Sequence, residues 1–223
     1  PDNGVLIAKN KDREGNTCGY NCFTWVIDAH PEDINLLDFV KPDGTRVMRT
    51  SADYRQLNDA LFHAGLRSGS EYEWEDTANR LHFYVVDVRR ASNGILSYVV
   101  GVRSLDGSGP HTRGVALRAS STYSAGSAPW NVTLRNTGKA AAGAATHVRS
   151  DVYRLSVAIE GEGWSADLQN AIAAVPFGET RVIPVHVTRN GTSNRAPRIT
   201  LTAVSESDPS KRARVTSAIV SAR

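Results

Sequence analysis

"SADYRQLNDALFHAG", residues 51–65, decides whether the first half of this 223-residue chain is mixed or wholly β. Leu57, Ala60, Leu61 and Ala64 fall at i, i+3, i+4 and i+7, the spacing that lines up apolar side chains on one helix face. Ser51 stands where an N-cap accepts a free amide, and Gly65 where a C-cap needs a left-handed residue. The spacing predicts a helix over 52–63. Around it the pattern is that of strands: "GVLIAK" (4–9), "FTWVID" (23–28) and "INLLDFV" (34–40) are apolar runs punctuated by Pro31 and the turn Pro42-Asp43-Gly44. Downstream, "RLHFYVVDVRRASNGILSYVVGVRSL" (80–105) holds two β-rich runs about Asn93-Gly94, a hairpin signal. Both runs are apolar at nearly every position, which predicts a hairpin covered on both faces. The expected fold class of the first half is therefore α+β, strand-rich with one clear helix.

"DGSGPHTRG" (106–114) is a turn-rich break at which the charge changes sign. Residues 1–110 carry 12 Lys+Arg against 16 Asp+Glu and residues 111–223 carry 14 against 7, so −4 meets +7 within a net charge of +3. A boundary is expected there, giving domains 1–108 and 112–223. The second half reads as seven short alternating runs, from "GVALRAS" and "WNVTLRN" through "DVYRLSVAIE", "GWSADLQ", "TRVIPVHVTRN" and "PRITLTAVSES" to "RARVTSAIVSA". Seven strands in this span predict an all-β, immunoglobulin-like β-sandwich. "TGKAAAGAATH" (137–147) is low in complexity and predicts a loop between strands.

Composition narrows the function classes. With 40% hydrophobic and 22% charged residues the chain lies in the range of globular domains. No apolar run approaches the ~18 residues of a membrane span. Pro1-Asp2-Asn3-Gly4 offers neither initiator Met nor signal pattern, as in a mature or cleaved product. The arginines of the second half are scattered singly, without interleaved stacking aromatics, so no nucleic-acid partner is expected. G-x-S-x-G, P-loop and Rossmann motifs are missing.

Two resemblances follow from particular phrases. "VTLRNTG", "YRLSVAIEGEGW", "VPFGETRVIPVHVT" and "ITLTAVSESDPS", across 112–221, resemble the bacterial immunoglobulin-like modules of the NEW3 or CARDB type that follow catalytic domains in secreted hydrolases. "GVLIAKNKD", "INLLDFVKPDG", "LNDALFHAG" and "EDTANRLHFYVVD", across 4–105, resemble the end of the catalytic region in M6 peptidases, the immune-inhibitor-A-like zinc metallopeptidases secreted by bacilli and actinomycetes. The HExxH helix of that family, two imidazoles at i and i+4 with a glutamate base, has no counterpart here. None of His30, His63, His82, His111, His147 and His186 lies four from another. The resemblance implies a segment C-terminal to the zinc helix, with zinc held only in an upstream catalytic region.

Candidate sites are few. Cys18 and Cys22 form a C-x3-C pair that, with His30, supplies at most three ligands for a structural zinc, and they precede a strand and not a redox helix. In a secreted chain a local disulfide is the straightforward reading, with metal binding and free thiols as alternatives. Asp59, Glu71, Glu73, Glu75 and Asp76 form an acidic group of the oxygen type that calcium takes, led by Asp59, Asp76 and Glu75, against a solvated acidic loop. His82 on an apolar strand reads as a packed, hydrogen-bonded residue. Trp130 shares a strand face with Val132 and Leu134 and reads as core, whereas Trp164 is a candidate binding platform. Asn131-Val132-Thr133 and Asn190-Gly191-Thr192 match the N-glycosylation sequon, which a bacterial origin would leave unused.

The leading expectation is a non-catalytic C-terminal portion of a secreted, extracellular M6-like zinc metalloendopeptidase, inactive alone. Its partners would be the upstream protease domain and an extracellular protein or polysaccharide. The alternatives are a stand-alone extracellular adhesion or carbohydrate- or protein-binding protein, or a subunit of an extracellular assembly, which an exposed sheet edge would permit.

Overall fold

The structure, a computed structural model, describes residues 3–10, 24–30, 48–49, 58–126, 128–191 and 197–221. In the first half, β1 (Ala8–Asn10), β2 (Thr24–Val26) and β3 (Met48–Arg49) form a small antiparallel sheet in that order. A second antiparallel sheet runs β4 (Glu73–Asp76), β5 (Leu81–Arg90), β6 (Leu96–Ser104). The expected α+β class gives way to β. Asn58 and Asp59 are helical, but Phe62 already forms an antiparallel bridge with Val5, with N–O distances of 2.9 and 3.0 Å, and His63 N donates to Glu71 O at 3.1 Å. Residues 51–57 and 34–40 lie outside the described residues. The reason for the reversal is Phe62, which is off the Leu57-Ala60-Leu61-Ala64 stripe yet only 1% exposed, packed with Ile27, Ala29 and Val85. Burying an aromatic ring contributes more than the few tenths of a kcal/mol per residue by which helix propensities differ.

The hairpin between β5 and β6 forms as the sequence predicts. Gly94 N donates to Ala91 O and Ala91 N to Ile95 O, and Gly94 takes the left-handed φ of 86° that closes a three-residue loop. Both faces are covered along β5, but the cover stops short over β6 on the Val85 face, where Val100 and Val102 are 48% and 53% exposed. A bulge sets the other face. Val85 pairs with Val100 and Asp87 with Val99, so Val86 is the extra residue. Without it, Asp87 would share the face of Val85; with it, Asp87 joins Tyr84 and Val86 on the face turned to the second half.

The second half is a two-sheet sandwich. One sheet has the order β12 (Ile172–Pro176), β10 (Ser150–Glu160), β14 (Arg198–Ser205), β15 (Arg212–Ser221), β8 (Thr122–Ala125). The other runs β11 (Trp164–Leu168), β13 (Thr180–Arg189), β9 (Trp130–Asn136), β7 (Val115–Arg118). All pairs are antiparallel except β15 with β8, which is parallel. Inward residues of both sheets share one core, including Trp130, Val132 and Leu134 of β9 facing Tyr153, Leu155, Ile199 and Leu201. Among the described residues the sandwich thus has nine strands where seven are expected, the added ones being β8 and β12. Residues 137–145 are loop, as their composition predicts, and only a 3-10 turn at Thr146–Val148 follows.

The halves touch along β5 and β6 on one side and β10 and β12 on the other. Tyr84, Val86 and Ile172 form a buried cluster with Val99, Val152 and Ala174 around it. Gly101 permits this approach: a Cβ there would meet Val152 Cγ2 at 3.3 Å. The connecting segment is pinned by Arg113, which donates to Ser108 O, Ser150 O and the buried carboxylate of Asp151 at 3.1 Å.

Candidate functional site: a charged cluster between the two halves

Strand alternation brings charge into the junction. His82 and Tyr84 of β5 and Arg103 of β6 lie on the face turned to the second half, with Glu73 opposite Tyr84 on β4. From the second half come Arg154, on the outer face of β10, and Glu206, just beyond β14, whose N–H donates to Val152 O at 2.8 Å. Arg154 holds both carboxylates. Its Nη1 and Nη2 donate to Glu73 Oε1 and Oε2 at 3.0 and 2.6 Å, while Nε and Nη2 donate to Glu206 Oε1 and Oε2 at 2.8 and 3.2 Å. Tyr84 O–H donates to Glu206 Oε2 at 2.6 Å and accepts from Arg103 Nε at 2.8 Å. His82 Nε2 meets Glu73 Oε2 at 3.0 Å, and its ring stacks on Tyr84 with centroids 4.1 Å apart.

These contacts fix the ionisation of the group. Burial would raise the Glu73 carboxyl, but hydrogen bonds from His82 and Arg154 and the charge of Arg154 outweigh it and hold the group at about 2. Glu206 is likewise held below the usual carboxylate range: burial opposes this, and hydrogen bonds from Arg154 and Tyr84 prevail. Burial, then the bond to Glu206, pushes Tyr84 up. Two fixed carboxylates around a bidentate guanidinium make a strong charge-assisted link and a poor proton donor or acceptor near neutrality.

The set does not fit a metal. Ligand-type atoms of Glu73, His82 and Glu206 lie within 4.8 Å of one another, but the Arg154 guanidinium already bonds both carboxylates. A zinc ion would have to displace it and would find one imidazole. The calcium candidates differ: Asp76 accepts from Asn79 N and Nδ2 at 3.2 and 2.6 Å, Glu75 faces His82 Nδ1 at 3.8 Å, and Asp59 meets His30 Nδ1 at 2.5 Å only through its backbone carbonyl, its carboxylate Oδ2 being buried without a hydrogen-bond partner among the described residues. Cys18 and Cys22 lie outside the described residues. His82 is 8% exposed and hydrogen-bonded, as a packed strand histidine should be, and Trp130 is buried in the core. Trp164 is half-buried, with the Arg189 guanidinium over its ring at 5.7 Å.

Two clefts adjoin the junction. One, of about 330 Å³, is lined by Asp87, Val88, Leu168, Ile172, Arg181 and Val182, and its charged pair is self-satisfied, Arg181 Nη2 donating to Asp87 Oδ2 at 2.7 Å. The other, of about 570 Å³, is lined by Ser68, Asp167 and His186 among others. Ser68 Oγ donates to backbone carbonyls of Gly65 and Ser70, and Asp167 is paired with Arg67 at 2.6 Å, so no nucleophile–base relay forms there.

Comparison with known proteins gives the context. Residues 1–105 match a family described as a middle domain, and residues 112–221 match one described as a peptidase M6-like domain. Residues 112–221 are thus similar to that domain. This M6-like match falls on the sandwich, whereas the sequence phrases attach the M6 resemblance to the first half. A protein of Arthroderma benhamiae named "Putative secreted metallopeptidase" is 43% identical over 227 residues, covering 95% of this chain and 32% of its own length. The chain thus spans about a third of that relative's length. The relative is fungal, and neither a bacterial origin nor the NEW3 or CARDB likeness finds support beside it.

Proposed function

We propose that this chain is a non-catalytic portion of a secreted M6-like zinc metalloendopeptidase, one that supports the protease fold and holds substrate or the surface on which the enzyme works. The observation that carries the reading is the Glu73–Arg154–Glu206 link. The charged groups gathered at the junction bond one another and leave none poised for peptide hydrolysis. Its location is extracellular, in agreement with the relative's name, and no helix among the described residues is long and apolar enough to cross a membrane. The upstream protease segment is the main partner, and the exposed Val100 and Val102 offer it an apolar strand. Zinc belongs to that segment. Two separately cored halves meeting near 106–114 are part of the proposal.

The test compares the full-length enzyme, its upstream segment and this chain on a casein-type substrate. Chelator-sensitive cleavage is expected from the full-length enzyme and none from this chain. Chelator-sensitive cleavage by this chain alone overturns the reading. Full activity in the upstream segment alone removes the supporting role.

A further inference from the structure

The outer face of the four-stranded sheet carries a motif that peptidase support does not use. Alternation along β9 sends Trp130, Val132 and Leu134 into the core and turns Asn131 and Thr133 outward. These two residues are the first and third positions of the sequon Asn131-Val132-Thr133. Their cross-strand partners on β13 are Pro184 and Val182, and Val182 is 55% exposed. An apolar pair therefore lies directly beside an exposed asparagine. The second sequon lies just past the end of β13, where Asn190 Nδ2 donates to Ser165 Oγ at 2.9 Å.

We infer that Asn131 is an N-glycosylation site and that the first sugars of its glycan lie across Val182 and Pro184. The inference rests on the secreted location and not on the peptidase reading. Its ground is the relative, a secreted fungal protein by name, which removes the reason for leaving the sequon unused. In the transfer, the Asn131 amide nitrogen attacks the anomeric carbon of an oligosaccharide carried on a lipid diphosphate. The new C–N bond forms as the C–O bond to the diphosphate breaks, the lipid diphosphate departs with the electron pair, and the amide proton goes to a base of the transferase. Transfer meets the chain while it is extended, and folding then leaves Asn131 outside, so the glycan disturbs no core contact. Over Val182 and Pro184, the apolar faces of the sugars shield surface that water would otherwise meet.

The experiment uses the full-length protein secreted by a fungal host. Peptide-N-glycosidase treatment in 18O-water, followed by peptide mass spectrometry, is expected to yield 18O-labelled Asp at position 131 in most copies. Asn131→Gln and Thr133→Ala should each remove the mass of one glycan, and Thr133→Ser should retain it. Recovery of the peptide from secreted, folded protein with Asn131 unmodified overturns the site. Enzymatic removal of the glycan should also raise binding of a hydrophobic dye about twofold, and Val182→Thr should abolish that rise. An unchanged dye signal overturns the shielding.

Discussion

The sandwich and the β4–β5–β6 sheet are both antiparallel β structure, yet they are held together by different physics. The sandwich closes two sheets over a common core in which Val132, Leu134, Val185, Ile199 and Leu201 are fully buried. Among the described residues, no second sheet closes over the β4–β5–β6 sheet. One face rests on a small cluster around Phe62 and Val85, and the other is fastened to the sandwich by Tyr84, Val86 and the Arg154 ion pairs. A sheet with a full hydrophobic partner folds on burial alone. One without it depends on its neighbour and fixes the contact with charge, which supplies orientation more than net stability.

The sharpest way to break this comparison is to attack the common core. Leu134→Ala should cost about 2–5 kcal/mol, by lost burial and the cavity left behind, and lower the midpoint of a chemical denaturation curve for the whole protein. A loss under 1 kcal/mol would mean that the sandwich does not rely on that core. Next comes Arg154→Met, which strands two carboxylates in a half-buried junction. The expected loss is about 2 kcal/mol, below the ~3–5 of a fully buried pair because Arg154 keeps part of its surface in water. It should also split the unfolding transition, with the first-half fluorescence of Trp74 moving before that of Trp130.

Acid sharpens the contrast further. The Glu73 carboxyl lies at about 2 when folded against 4.5 in its ordinary state. A depressed folded value means that its contribution is complete above the unfolded value and disappears as pH falls from 4.5 toward 2. Denaturation midpoints should therefore decline across that window, and Glu73→Gln should flatten the decline. An unchanged slope in the variant would place the acid sensitivity elsewhere. The smallest effect belongs to Arg67→Ala, which removes an ion pair to Asp167 that also bridges the halves but is largely solvated, at 76% and 50% exposure. Its cost should stay under about 0.5 kcal/mol, measurable as a near-identical denaturation midpoint.

What the sequence disclosed follows the same division. Seven strands of the sandwich were legible because alternation reports a half-buried sheet. β12 escaped because "IAAVP" is covered on both faces and alternates nothing, and β8 because "TYSA" sits among small polar residues and turns a single large side chain, Tyr123, inward. The helix expected over 52–63 does not continue past Asp59, because a four-point stripe says nothing of Phe62, whose place is set by a bridge to Val5 across 57 positions of sequence. Of the charged cluster, Glu73 and His82 were visible as an acidic group and a strand histidine. Arg154 looked like one scattered arginine, and Glu206 gave no signal. Their meeting depends on sequence separations of 81 and 52, which no local motif encodes. A faint clue existed in β10, where Val152 on the outward face hints that this face is covered.

The parallel pairing of β15 with β8 also bears on the order of events at the ribosome. β8 is made early and finds its sheet neighbour only when 218–221 has emerged, 96 residues later. At typical elongation rates that interval is roughly 5–20 s. For its whole duration β8 has no sheet neighbour, so the nascent chain must be shielded by whatever meets it at the exit of the tunnel until the last strand slides into place.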